Sequence, residues 1–263
     1  MLDFLATEMK NMSTYGSLNS MRSALSLITN VELGSDPRVK RFCKGVSILK
    51  PSKPKYALTW DPDPVVAYLK TLTPHSSLDI KILTRKLATL MTLATASRVQ
   101  NLALIKRANI ILTNPVIIKI PDRIKTSGIN RTQPSMVFHV FEECPALCIA
   151  SLLRIYIEKT KLLVPSDSDT LFITFGKHPR AASAQTISRW IRQTLAAGGI
   201  DTSIFTAHSV RHAATSSAMR LNVPLDEIHR SAGWSKNSST FAKFYNRPLI
   251  PSGSINRAII LNK

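Results

Sequence analysis

The stretch "LKPSKPKYALTWDPDP" at 49–64 places Pro51, Pro54, Pro62 and Pro64 within sixteen residues. Proline has no amide hydrogen and fixes its own φ, so neither a continuous helix nor a central strand runs through such a segment. Residues 51–62 therefore read as an extended linker. The chain divides into an N-terminal part, 1–50, a larger body, 63–250, and a tail, 251–263.

The N-terminal part reads as three helices, "LDFLATEM", "SLNSMRSALSLITNV" and "DPRVKRFCKGVSIL". Ser17 or Asn19 suits the N-cap of the second, and Pro37 suits the first turn of the third. Three short helices enclose only a thin core. The body opens with "PVVAYLKTL" and "SSLDIKILTRKLATLMTLATASR". Ser76 with Asp79 matches a capping box. Ile80, Leu83, Leu87, Leu90, Met91 and Ala94 recur at helical spacing, with Lys81, Arg85 and Lys86 towards another side. A further helix follows across "VQNLALI".

The texture then changes. "NIILT", "PVIIKIP" and "SMVFHVF" are short, β-branched and broken by Pro, Gly and Asn, which predicts a small antiparallel sheet. "DRIKTSGINRTQ" is a basic hairpin loop between the last two strands. Helical patterns return in "CIASLLRIYIEKT", in "AQTISRWIRQTLAAGG" with its terminal Gly198 and Gly199, from Thr206, and in "PLDEIHRSAG". "TLFITF" reads as a short strand or an extended segment. The fold class is mainly α with a small antiparallel β-sheet.

Charge narrows the function. Lys plus Arg number 35 against 16 acids, a formal net charge of +19 over 263 residues. An excess of that size repels itself in a compact state and calls for a polyanion. Nucleic acid is the first candidate and an anionic membrane surface the second. The basic residues are interleaved with Leu, Ile and Val, so they decorate folded elements rather than a tail. Three cysteines, Cys43, Cys144 and Cys148, argue against a secreted disulfide scaffold. No apolar run approaches the eighteen residues of a membrane span, and "MLDFLATEMK" lacks the order of a signal peptide.

The densest chemistry is "TAHSVRHAATSSAMR", 206–220. His208 and His212 share a helical face, but Ser209 stands where a zinc protease needs Glu, and no Cys or carboxylate nearby completes a ligand set. No metal is expected. His208 and Arg211 also share a face, near a helix N-terminus that favours anions, and Arg grips two phosphate oxygens at once. A second isolated arginine, Arg98, lies between two apolar helices. There a charged group is partly buried and needs a partner, or else serves a helix dipole.

In order, "ASRVQNLALI", "HSVRH", "AGW" and "FAKFYNRP" resemble the signature of the tyrosine recombinases, the phage-integrase family. The wording of "RSALSLI", "VKRFCKG", "YALTWD" and "AGWSKNSSTFAKFYNR" looks most like the recombinases of DIRS-like and Ngaro retrotransposons, with Cryptons a near alternative. The resemblance covers nearly the whole chain. It implies a helical core-binding domain, shortened here, followed by a tyrosine recombinase catalytic domain. It implies a nuclear, intracellular DNA recombinase that joins a tyrosine to the 3′ phosphate, releases a 5′ hydroxyl and needs no cofactor, metal or ATP.

Carried over by position, Tyr245 matches the nucleophile. Arg98 and Arg211 match the arginines on the non-bridging oxygens, and His208 matches the general acid/base. Trp234 stands where many members have His and some have Trp; His212 matches a supporting His. The family protonates the leaving oxygen from a hairpin lysine. Lys125 is the candidate, with Lys119 and Arg123 close by. Lys81, Arg85, Lys86, Arg123, Arg189 and Arg192 are expected on DNA phosphates. The resemblance further implies double-stranded DNA as partner and a homotetramer on paired sites, with "SINRAIIL" docking on a neighbour. No membrane or small-molecule substrate is expected. Trp234 and Tyr245 are eleven apart, which leaves room for an extra turn. The alternatives are a retired recombinase kept as a DNA-binding protein, and a nicking-closing activity like that of type IB topoisomerases.

Overall fold

The structure is a computed structural model that describes residues 2–11, 14–29, 32–129, 133, 135–166 and 168–250. The expected tail contact of "SINRAIIL" lies outside the described residues. The chain divides into two compact units after Lys55.

The first unit holds α1 (Leu2–Asn11), α2 (Tyr15–Thr29) and α3 (Pro37–Leu49). Helix α2 begins at Tyr15, ahead of both caps expected for it. In α3 the Asp36 carboxylate accepts from the amides of Arg38 and Val39, and Pro37 fills the first position, where no amide hydrogen is needed. Leu5, Leu18, Val39, Cys43 and Val46 form the core, a small one for three helices. Two bonds tie the ends together: Lys50 Nζ donates to Met9 O (2.6 Å), and the Tyr15 amide donates to Lys50 O (3.0 Å).

The second unit begins at Tyr56, so the latter part of the proline-rich stretch packs rather than links: Tyr56 and Trp60 are both in this unit's core. It contains α4 (Asp63–Thr71), α5 (Ile80–Thr95), α6 (Val99–Ala103), α7 (Ile149–Thr160), α8 (Ala184–Ala197), α9 (Ser209–Arg220) and α10 (Leu225–Ala232). The strands β1 (Ile110–Ile111), β2 (Val116–Ile118) and β3 (Met136–Phe138) form an antiparallel sheet in the order β1-β2-β3. The fold class is therefore mainly α with a small antiparallel sheet. The strands are shorter than the apolar runs that predicted them. "TLFITF" is an extended, buried segment held by bridges from Thr170 to Lys106 and from Ile173 to Ala181.

Helix α5 is the axis of the unit and packs against α7, α8 and α9. Its cap is Asp79, whose carboxylate accepts from the Ile82 amide, while Ser76 sits in a separate 3-10 turn, His75–Ser77. The threonines on its buried surface satisfy themselves: Thr84, Thr89, Thr92 and Thr95 each donate to the carbonyl four residues earlier, at 2.6–2.8 Å. This lets a helix with many polar residues be buried on nearly every side.

That burial corrects one expectation. Lys86 is fully buried and cannot lie on a phosphate. Its ammonium donates to the carbonyl of Leu72 (2.6 Å), the C-terminal cap of α4, where a helix end leaves orphan acceptors and a negative dipole. Burial pushes the Lys86 amine down to about 8, with the nearby Cys144 acting the other way.

Helix α8 starts on the Ser183 hydroxyl, which accepts from the Thr186 amide, and stops at Gly198 and Gly199. Gly198 is required by contact: a Cβ there would sit 3.0 Å from Val65 Cα on α4. Gly199 takes φ of 83°, open to glycine at no steric cost.

Candidate active site

Helix α9 carries the densest part of the site, and its entry is pinned from the N-terminal edge of the unit. Trp60 Nε1 donates to Ser209 Oγ (2.8 Å), and Ser209 Oγ donates to Thr206 O (2.7 Å). The Tyr56 and Thr206 hydroxyls share a bond of 3.0 Å, and the Tyr56 ring meets His212 edge-on at 5.0 Å. Sequence reasoning missed these supports. The only signal was two aromatics among prolines, where a flexible linker has no use for them.

Arg211 is 1 % exposed. One terminal nitrogen donates to Ala96 O and the other to Ala232 O, both at 2.6 Å. Ala96 is the left-handed C-cap of α5, with φ of 49°, and Ala232 is the last residue of α10. The guanidinium thus caps two helix C-termini, where carbonyls lack intrahelical partners and the dipoles favour a cation. Its Nε is buried with no hydrogen-bond partner. Burial first, then the Arg98 guanidinium, pull Arg211 down to about 10, and Tyr245 opposes them. Arg98 is the half-buried N-cap of α6, two residues past the C-cap of α5, and its guanidinium is close enough to act on that of Arg211.

After α10 the chain turns at Gly233, φ 66°, which has no Cβ to clash in that left-handed conformation. The turn brings the Trp234 ring under Arg211, whose Cζ lies 4.3 Å from its centroid. Trp234 Nε1 is buried without a partner. Beneath it lies His229, buried and edge-on to the indole at 5.9 Å, with Nδ1 3.2 Å from Lys236 O.

Tyr245 ends a π-helical turn, Phe241–Tyr245, closed by a bond from the Asn246 amide to Phe241 O (2.8 Å). The extra length after Trp234 is taken up by this wide turn. The Tyr245 ring stacks on His212 (centroids 4.3 Å, 24° between planes), leans on Trp234 (4.8 Å) and lies 5.3 Å from Arg211 Cζ. Its hydroxyl oxygen is 3.3 Å from His208 Nε2. Residues far apart in sequence therefore bring together a phenol, an imidazole and the Arg211 guanidinium, with unpartnered buried donors on Arg211 and Trp234 and the Arg98 guanidinium near enough to act on Arg211. That set is suited to an anion, and to moving a phenolic proton.

Lys125 is not joined to this cluster by any hydrogen bond. It is exposed on a turn between β2 and β3, and Asn130–Thr132 and Pro134 of that loop lie outside the described residues. Arg123 is exposed on the same loop, and Lys81, Arg189 and Arg192 are exposed on α5 and α8. Arg192 also donates to Thr202 O (2.9 Å), and Arg85 is half-buried. Among the described residues no group of three or more His, Cys, Asp or Glu is placed to hold a metal, and no helix is long and apolar enough to cross a membrane.

The pattern described as the Phage integrase family matches residues 65–249, which is most of the chain. The chain belongs to the phage integrase family. The fold itself, mainly α with a small antiparallel sheet, is that of the tyrosine recombinase catalytic domain, shared with solved structures at low identity. The XerA recombinase aligns at 20% identity and a TM-score of 0.53, over 100% of this chain and 89% of that one. The Tn1549 transposon integrase, in complex with circular intermediate DNA, aligns at 13% identity and a TM-score of 0.59, over 98% and 82%. A lambda integrase tetramer bound to a Holliday junction aligns at 15% identity and a TM-score of 0.51, over 90% and 65%. No curated protein matches this integrase-family chain.

Proposed function

We propose that the protein is a site-specific DNA recombinase or integrase that cuts and rejoins strands through Tyr245. The observation that carries this reading is the Tyr245 hydroxyl 3.3 Å from His208 Nε2, beside the buried, unpartnered Arg211 Nε and Trp234 Nε1. Both donors are buried beside the Tyr245 ring, so a scissile phosphate accepts from them once that ring shifts, and then lies against Arg98 and Arg211. A free phenol has a pKa near 10 and needs a base and a positive field to attack at neutral pH.

In the proposed step the Tyr245 oxygen bonds to phosphorus as its proton passes to His208. The bond from phosphorus to the 5′ oxygen breaks, and that oxygen takes a proton from Lys125 on the hairpin loop. The product is a 3′-phosphotyrosyl link and a free 5′ hydroxyl. Attack by a second 5′ hydroxyl reverses the step, so no metal or ATP is consumed. His212 supports the tyrosine ring by stacking.

The net charge of +19 supports double-stranded DNA as the partner, with Lys81, Arg123, Arg189 and Arg192 as phosphate contacts. Assembly as a tetramer on paired sites draws on the tetrameric lambda integrase. Residence in a nuclear mobile element of DIRS-like or Ngaro type draws on the wording of the motifs alone.

The test is a nicked duplex from which the 5′-hydroxyl fragment diffuses away. The native chain should leave a denaturant-resistant protein–DNA adduct that Tyr245→Phe does not form. Absence of an adduct with the native chain sinks the enzyme reading in favour of DNA binding alone. An adduct that survives Tyr245→Phe sinks the assignment of the nucleophile.

A further inference from the structure

Ser216 lies in the small-residue half of α9, where close helix packing is the ordinary use of Ala, Ser and Thr. Its hydroxyl behaves differently. A helical Ser or Thr ordinarily bonds back to the carbonyl one turn earlier, as Thr215 does to Arg211 O at 2.7 Å. Ser216 is fully buried and turns its hydroxyl away from its own helix. It donates to Tyr245 O (2.7 Å) and accepts from the Arg247 amide (3.0 Å). It therefore satisfies the backbone on both sides of Asn246, at the exit of the π-helical turn.

His212 and Ser216 are four apart, so they share one face of α9. The first takes the Tyr245 ring by stacking and the second takes its backbone. Farther along, the segment is held again: the Thr59 amide donates to Pro248 O (2.8 Å) and the Ile250 amide to Thr59 O (2.9 Å). The next residue, Trp60, is bonded to Ser209 at the start of the same α9. Both holds on the tyrosine segment thus lead back to the helix that carries Arg211.

The geometry points to Ser216 as a positioning residue that clamps the nucleophile segment onto the phosphate pocket of its own chain. This rests on the strand-transfer reading of Tyr245. Ser216 does not touch the reacting atoms. It removes the freedom of the Tyr245 backbone, so the phenol oxygen stays near His208 and attack in the same chain is favoured.

The test uses the full chain and a pool of nicked duplexes of random core sequence. Duplexes captured by the native protein become the substrate for variants. Ser216→Ala should slow adduct formation at saturating DNA about tenfold, the worth of a strong buried hydrogen bond. The DNA concentration for half-saturation should not change. In hydrogen exchange the Arg247 amide should lose protection while the amides of α9 keep theirs, a pattern that general loosening of the fold does not produce. Ser216→Thr keeps the hydroxyl and should retain the native rate. If Ser216→Ala does not fold, a natively melting Ser216→Thr that forms no adduct overturns the proposal, and one at the native rate supports it. A native rate in Ser216→Ala with Arg247 still protected overturns the role of Ser216 alone. If the native chain captures no duplex, the strand-transfer reading falls first and this proposal with it.

Discussion

The Tyr245 hydroxyl and His208 Nε2 meet at 3.3 Å within one chain, although 37 residues separate them. A pair at that distance needs only a small approach to pass a proton, the tightening that substrate binding ordinarily brings. His208→Ala should slow adduct formation at least about a hundredfold, the usual worth of a general acid–base group. DNA affinity should stay near the native value, since the imidazole is one contact among many. Single-turnover rates beside a binding isotherm separate the two. Loss of affinity in parallel with rate would make His208 a binding residue.

Trp234 offers one buried indole donor without a partner and a ring under Arg211. Trp234→Phe keeps an aromatic surface and removes the donor. It should fold, bind DNA and lose roughly a hundredfold in the rate of adduct formation, as deletion of a donor to a developing charge does. Trp234→His restores a ring N–H and should recover part of that loss. Equal rates for Phe and His would reduce Trp234 to packing.

Arg211 has a structural task beside the proposed one, because its guanidinium joins the ends of α5 and α10. Arg211→Ala should therefore cost stability as well as activity, by roughly 2–4 kcal/mol for two charged hydrogen bonds and the carbonyls left unpaired. Arg211→Lys keeps the charge and loses the fork, so it should recover only part of the stability. Denaturant unfolding reads both. A native midpoint for Arg211→Ala would contradict the structural task.

Lys86 gives a dependence on pH whose sign can be worked out. Its folded value is about 8, against 10.5 for an ordinary lysine, because burial penalises the charged form. The cost of holding the cation is fully present below pH 8, falls as pH rises, and is gone above about 10.5. Lys86→Met should be the more stable chain at pH 7. The native chain should then gain on it between pH 8 and 10. Melting temperatures of the pair at pH 7, 8.5 and 9.5 test this, and a constant gap would contradict it.

The sequence determined more of this protein than its low identity to solved relatives suggests. Periodicity marked the helices, and β-branched runs between Pro and Gly marked the sheet. His208 with Arg211 stood out by spacing, while Trp234 and Tyr245 were marked by the resemblance to the tyrosine recombinase signature. Tertiary structure decided what spacing cannot express. Lys86 and Lys81 are equally basic in sequence, but Lys86 is fully buried at the C-terminal end of α4 while Lys81 stays exposed. Arg211 finds its resting partners in the carbonyls of Ala96 and Ala232, which belong to backbone geometry and leave no mark in residue type. Tyr56 and Trp60 sit among prolines, and only the fold turns them into braces for α9. Ser216 reads as one more small residue until Tyr245 is laid against it. In each case the deciding term is desolvation, which forces a buried polar group to find whatever partner the packed chain brings within reach.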